Sequence, residues 1–444
     1  MPLLIVVIGV IFLIFLITKL KLNAFLSLVI TAFIVGIALG IPVAKISTSI
    51  ETGIGGQLGH LAIIFGFGSM LGKLISDAGG GYRIANKLIQ IFGKKHIQIA
   101  VILTSFIIGL ALFFEVGLVV LLPIIFVIAR EVDLPLMYLG IPMAATLNVA
   151  HGFLPPHPAP TAVAEVLNAP LGHVLLVGIV VAIPTIIISG PVYNYFLHKF
   201  YPVVYRKDVN ISVLGEYKEF KIEDTPGFGI SVFTALLPVL LIGIETILSF
   251  VMDTKSVAFQ VIEFIGTPDQ AMLISLIVGI FTMGIFRGLK IADIGNAMSE
   301  SIKQIAMMLL IIGGGGAFKQ VLVDGGVADY IGQLFNHTSL SPIIVAWLIT
   351  ALLRISLGSS TVASMTGAGL ITSIVANSSV DPVLIVLAIG AGSVFMDHVN
   401  DAGFWMIKEY FGLTLKETLI SWTTLTSVIG VSGLASVLVV SMFM

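Results

Sequence analysis

Two stretches of this sequence bring together side chains that could do chemistry. In His151-Gly152-Phe153-Leu154-Pro155-Pro156-His157-Pro158-Ala159-Pro160-Thr161, two imidazoles and a hydroxyl share a run with four prolines. Proline removes a backbone donor and clashes with the preceding turn, so no continuous helix passes through. In Phe395-Met396-Asp397-His398-Val399-Asn400-Asp401-Ala402-Gly403-Phe404-Trp405, two carboxyls, an imidazole and a carboxamide stand within five residues. Groups of these types can exchange protons or bind a polar ligand. A single histidine in either stretch also fits a hydrogen-bonded packing role. Two such stretches at corresponding places are harder to explain as packing.

A second pair is smaller. Ala111-Leu112-Phe113-Phe114-Glu115-Val116-Gly117 places one carboxyl between apolar runs, and Leu357-Gly358-Ser359-Ser360-Thr361-Val362 follows closely on Arg354. Hydroxyl residues at a helix break leave free backbone N–H groups and a positive dipole end, which together suit an anion. Arg354 adds a planar fork for a carboxylate. The plainer alternative is that Gly358 and its serines only permit close helix packing. Lys73 and Asp77, four apart on one helix face, read as a structural ion pair.

The surrounding elements decide what these groups mean. Of 444 residues 57% are hydrophobic and 10% charged, and the mean hydropathy is +1.12. A soluble domain carries roughly one-quarter charged residues. The apolar residues form runs near the roughly 20 needed to cross a bilayer. About fourteen segments result, near 2–18, 22–40, 59–76, 97–113, 116–129, 136–150, 171–195, 228–250, 270–286, 304–322, 341–356, 361–376, 383–396 and 418–441. The shortest are expected to be halves of re-entrant hairpins. Ionisable groups at this depth cost several kcal/mol and are functional candidates by default.

The chain also matches itself. At one offset of 247 positions, Asp77 meets Asp324, Pro135 meets Pro382 and His151 meets His398, with Gly68, Gly79, Leu110 and Ala144 also falling on their own types. Seven segments per half are expected, and an odd number turns the second half upside down. The expected divisions are 1–198 and 228–444, joined by a polar, solvated linker over 199–227. Charge agrees: Arg83, Lys87, Lys94 and Lys95 follow segment three, whereas the mate loop from Val323 to Ser341 has no Lys or Arg and includes Asp324 and Asp329. By the positive-inside rule those loops lie on opposite sides, and parity then puts 17 of the 22 basic residues inside. Both termini are expected outside and the linker in the cytoplasm.

Several classes of chemistry are excluded. With no cysteine there are no disulfides or thiolate sites. Gly68 to Lys73 fails the phosphate-loop pattern because Phe67 and Leu74 stand where Gly and Ser or Thr are needed. No H-E-x-x-H run occurs, no cofactor or metal is expected, and a net charge of −2 offers no nucleic-acid face. Gly313 to Gly316 reads as a helix-packing run.

A-L-F-F-E-V-G at 111–117, H-G-F-L-P-P-H-P-A-P at 151–160, G-S-S-T-V-A at 358–363 and D-H-V-N-D-A-G-F-W at 397–405 together resemble the gluconate permease family of gluconate:proton symporters. The likeness covers essentially the whole chain, with Ala159 standing where that family often has Gly. It implies a bacterial inner-membrane importer of a sugar acid coupled to protons, within a wider group of paired-hairpin transporters that commonly form dimers. Members of the family differ in taking gluconate, idonate, glycerate-like acids or D-serine.

The expectation is therefore an all-α polytopic membrane protein of two inverted-topology repeats, with about 12–14 hydrophobic segments including re-entrant hairpins. A small hydroxylated carboxylate is expected between Arg354, Ser359, Ser360, Thr361, His151, His157, Thr161, Asn400 and Asp401, with Glu115, Asp397 and His398 handling protons. Sodium coupling, a channel, and a membrane-embedded enzyme using His151 with Asp397 or Asp401 stay open as alternatives.

Overall fold

The computed structural model describes the chain except residues 1, 112, 156, 208–219, 250–251, 254, 328–329, 332–339, 377 and 379. Among the described residues there are helices and turns and no strand. The first part runs α1 Pro2–Thr18, α2 Ala24–Ala38, α3 Val43–Asp77, α4 Gly80–Ala111, α5 Phe114–Glu131, α6 Leu136–Phe153, α7 Pro158–Val166 and α8 Leu171–Phe200. The second runs α9 Phe228–Ser249, α10 Val257–Gly266, α11 Pro268–Arg287, α12 Ile291–Asp324, α13 Pro342–Leu357, α14 Ser360–Ala376, α15 Pro382–Ser393, α16 Ala402–Tyr410 and α17 Leu415–Val440. Among the described residues, seven helices are long and apolar enough to cross a membrane. Large side chains such as Ile11, Ile107, Leu176, Ile247 and Phe286 are more than 60% exposed. Apolar exposure on that scale suits a lipid surround rather than water.

The internal repeat is visible as geometry. Shifted by 247 positions, α3 falls on 290–324, where α12 spans Ile291–Asp324. The same shift takes α5 to 361–378, α6 to 383–400 and α7 to 405–413, onto α14, α15 and α16. α3 and α12 pack along each other. Gly53 lies against Gly316, Gly313 against Leu58, and Ser69 Oγ donates to the Ser301 carbonyl at 3.2 Å. Partner numbers fall as α3 numbers rise, so these mates run antiparallel. A Cβ on Gly53 would strike the Gly316 carbonyl, and one on Gly316 would strike that of Gly53. Small residues therefore set this backbone approach, as the Gly313 to Gly316 run implies.

α6 and α15 form the centre. All of α15 from Val383 to Ser393 is buried, as is α6 apart from Tyr138. Helices apolar all round pack inside a bundle. Their ends are fixed locally: Pro135 precedes α6, and Asp381 Oδ1 accepts from the Val383 N–H at 2.8 Å to start α15.

The structure departs from the expected segments in several places. α3 and α12 are single helices of 35 and 34 residues, longer than the apolar cores at 59–76 and 304–322, because their polar ends stay helical. α4 begins at Gly80 and bends at Gly93, whose φ of +69° is a left-handed conformation that glycine tolerates. The short helix α10 was hidden by Asp253, Lys255 and Glu263 and by its length. Ten residues rise about 15 Å, short of the roughly 30 Å hydrocarbon layer. At the 247 offset α10, not α9, is the counterpart of α1. α7 and α16, nine residues each, follow the two charged breaks.

The expected solvated linker is anchored at both ends, while 208–219, with Asp208 and the Glu216 to Glu219 run, lies outside the described residues. Val204 and Tyr205 are buried, and the Tyr205 hydroxyl donates to Asn194 Oδ1 at 2.6 Å. Arg206 meets Glu417 at 2.7 Å, and Arg83 donates to the Ile222 and Pro226 carbonyls at 2.8 and 3.0 Å. Lys207 meets Asp133 at 2.7 Å, and its ammonium holds that carboxyl below its ordinary range. Lys73 and Asp77 pair at 3.0 Å, as their spacing implies.

Candidate functional site

Four interruptions of the helices meet at one cavity of about 290 Å³. From the α4/α5 turn come Phe113, Phe114 and Glu115; from the α13/α14 turn come Ser359, Ser360 and Thr361. The end of α6 supplies Asn148 and His151, and the α15/α16 break supplies Asp397 and Asp401. Arg354, Trp422, and Gly56, Gln57 and Leu61 of α3 complete the wall. The N-termini of α5 and α14 thus both reach the cavity. The first N–H groups of a helix have no intrahelical acceptor and carry the positive end of its dipole.

The α13/α14 turn depends on one glycine. Gly358 ends α13 at φ +75°, and a Cβ there would strike the Asn400 carbonyl. α13 then needs acceptors satisfied at its last turn. His398 Nε2 donates to the Ile355 carbonyl at 2.9 Å. Asn400 Nδ2 donates to the same carbonyl at 2.9 Å and to that of Ser356 at 3.2 Å. Arg354 Nη1 donates to the Gly358 carbonyl. Ser359 Oγ accepts from the Val362 N–H at 3.4 Å to open α14. His398 and Asn400 therefore tie the charged break to the hydroxyl turn and do not line the cavity.

His157 plays a similar part on the other side. Its Nε2 meets the Gly109 carbonyl at 2.6 Å, and its ring lies 5.1 Å from that of His151, with Phe113 flanking both. Thr161 lies outside the cavity wall with its hydroxyl buried, and Pro156 lies outside the described residues.

The electrostatic centre is Arg354, 4% exposed. Its Nη2 lies 3.1 Å from Asp397 Oδ2 and 3.1 Å from Asp401 Oδ2. Asp397 is further held by Trp422 Nε1 at 2.7 Å and by its own N–H donating to Thr426 Oγ1 at 2.9 Å. Trp422 stacks on Phe114 at 5.4 Å, joining the Asp397 break to the start of α5. Asp401 Oδ2 caps α16 through the Gly403 N–H at 3.2 Å. Among the described residues, Arg354 Nε, Asp397 Oδ1 and His151 Nδ1 are buried without a hydrogen-bond partner. Buried polar atoms left in this state are costly and usually await a ligand or water. Here the three belong to residues that line one cavity.

A family model described as GntP family permease matches residues 1–443. The chain belongs to the GntP permease family. It is 58% identical over 444 residues to an uncharacterized permease of Bacillus subtilis, covering all of both chains. The gluconate permease of Bacillus subtilis is 54% identical over 446 residues, again with full coverage of both. A high-affinity gluconate transporter of Escherichia coli is 49% identical over 445 residues with full coverage of both. These are permeases and transporters, which sets aside the reading as an enzyme, and the apolar helices make this family member a multi-pass membrane protein.

Several wall residues of this GntP permease carry no signal in the sequence. Asn148 sits one helical turn before His151, a spacing that puts both on one face of α6. Gln57 follows two glycines in α3, and Trp422 is one of only three tryptophans. Each is uncharged, so none stands out as costly at membrane depth.

Proposed function

We propose that this chain imports gluconate or a closely related sugar acid in symport with protons. The observation that carries the reading is the single buried guanidinium shared between Asp397 and Asp401 in a cavity met by two helix N-termini. A sugar acid brings a carboxylate, which those N–H groups and the Arg354 fork suit. Arg354 Nε is unpartnered, and its Nη2 is occupied by two acids. The substrate completes a bidentate pair only when one acid releases Nη2.

Charge enforces the order. Arg354 faces Asp397, Asp401 and Glu115 across the cavity, so an unaccompanied anion would enter an already acidic site. A proton on Asp397 or Asp401 removes one negative charge, frees the guanidinium and admits the carboxylate without net cost in charge. Asp397 Oδ2 and Asp401 Oδ2 both lie 3.1 Å from the same Arg354 Nη2, so protonating either one loosens the shared contact. Substrate and proton are then carried together, and the rearrangement reverses when the site faces the cytoplasm.

The same reading has two inverted halves, 1–198 and 228–444, joined by a cytoplasmic linker over 199–227, in a bacterial inner membrane with both termini outside. The antiparallel course of α3 and α12 supports it. With no native cysteine, single cysteines near residue 20 and residue 326 should label from opposite sides of sealed cells.

The decisive experiment is uptake of labelled gluconate into proteoliposomes under an imposed pH gradient, inside acidic or inside alkaline. Accumulation should follow an inward proton gradient and collapse with a protonophore. Accumulation that instead follows sodium and disappears in choline would replace the proton reading with sodium coupling. Non-saturable flux would point to a channel.

A further inference from the structure

The carboxylate end of the site leaves the rest of a sugar acid, a chain of hydroxyls, without an assigned reader. The wall contributed by α3 differs from the four helix breaks because it comes from the middle of a continuous helix. Gln57 lines the cavity, and its Oε1 accepts from Lys319 Nζ of α12 at 3.4 Å. A lysine ammonium donates and never accepts, so this contact fixes which end of the amide faces away. The Gln57 oxygen is turned to Lys319, so the NH₂ is the end of the amide that this contact leaves free to donate. The stem of Gln57 passes directly over Gly316, where a Cβ would come within 2.6 Å of the Gln57 Cβ. Next to it, Gly56 lines the cavity and has open space where a side chain would stand.

We infer that Gln57, oriented by Lys319 and seated over Gly316, donates hydrogen bonds to the hydroxyls of the substrate, and that Gly56 keeps room for a long polyhydroxy chain beside it. This rests on the sugar-acid reading and deepens it. Gln57 is the binding residue; Lys319 is a positioning residue that acts through it. The pairing also crosses the repeat, because Gln57 belongs to α3 and Lys319 to its mate α12. At the 247 offset Gln57 falls on another glutamine, Gln304, whereas Lys319 falls on Gly72, so the lysine has no counterpart in the sequence of the other half. An amide held by a lysine on one side of the cavity gives the site a direction along which an unsymmetrical acid lies.

The test is competition for labelled gluconate uptake in proteoliposomes by unlabelled gluconate and by glycerate, a short acid with the same carboxylate and fewer hydroxyls. Gln57→Leu should weaken gluconate roughly tenfold, the loss of one or two hydrogen bonds, and leave glycerate within about twofold of its wild-type strength. Lys319→Met should do the same to gluconate, and Lys319→Arg should restore most of it, which a merely structural lysine would not require. Gly56→Leu should reject gluconate more strongly than glycerate, with the open space above Gly56 leaving the thermal midpoint unchanged. Equal losses for both acids in Gln57→Leu and Gly56→Leu, in protein of normal thermal stability, would overturn the inference while leaving the sugar-acid reading standing. A wild-type protein that takes up no sugar acid would remove both together.

Discussion

Replacing Arg354 by lysine separates its chemistry from its charge. The guanidinium spends Nη1 on the Gly358 carbonyl and Nη2 on Asp397 and Asp401, and keeps a buried, unpartnered Nε. Lysine keeps one positive charge near the two acids, which avoids stranding a buried carboxylate, a loss that would cost roughly 3–5 kcal/mol. What lysine cannot supply is the second parallel donor to a substrate carboxylate. A charge-assisted hydrogen bond contributes roughly 1.5–3 kcal/mol. Losing one therefore weakens binding by about 2 kcal/mol, roughly thirtyfold. Trp422 lines the cavity, so its fluorescence offers a binding signal in purified protein, to be set beside the thermal midpoint and the apparent affinity of uptake. An affinity within about threefold of wild type, with a lowered midpoint, would make Arg354 a structural residue and refute its role in holding the anion.

Three further outcomes follow from the same geometry. Binding of gluconate should tighten on acidification, by up to about tenfold per pH unit where the coupling acid is ionised in the empty site. Asp397→Asn should flatten that dependence, and a pH-independent affinity in the wild type would sink the exchange of Arg354 between acids and substrate. Glu115→Gln, which leaves both carboxyls on Arg354 in place, should keep proton-driven accumulation; loss of uphill uptake with substrate exchange retained would move the coupled proton from Asp397 and Asp401 to Glu115. Gly358→Ala should lower the thermal midpoint in detergent far more than Gly40→Ala. Both glycines have φ near +80°, a strain of about 1 kcal/mol for alanine, but only Gly358 would also drive a methyl into the Asn400 backbone. Equal shifts would show that this turn can relax.

The parts of the molecule legible in the sequence are those that break a rule of the bilayer. The prolines around His157 and the acids around His398 cannot sit in lipid-facing helices, and their matching spacing locates both breaks. Which side chains at a break face inward is another matter. Asp397 and Asp401 point to Arg354, whereas His398 and Asn400, interleaved with them, turn back to the Ile355 and Ser356 carbonyls. Irregular backbone has no period from which to read that alternation. The α3 wall was hidden for the opposite reason, because Gly56 and Gln57 lie in an ordinary helix and violate nothing. Helix α10 was lost to its polar residues, and the length of α3 and α12 to ends that remain helical after hydropathy falls.

The glycine contact between α3 and α12 has a consequence for how such a molecule can arise. Gly53 and Gly316 meet only because two helices of nearly equal length lie antiparallel, one from each half. A half-length ancestor, inserted into the membrane in both orientations, would bring two copies of this helix together in the same way. Neither copy alone would possess the cavity, because its walls come from both. On this view the fused chain preserves a dimer of opposed twins, and fusion freed each half to diverge until one glutamine gained a lysine where its mate's half has a glycine.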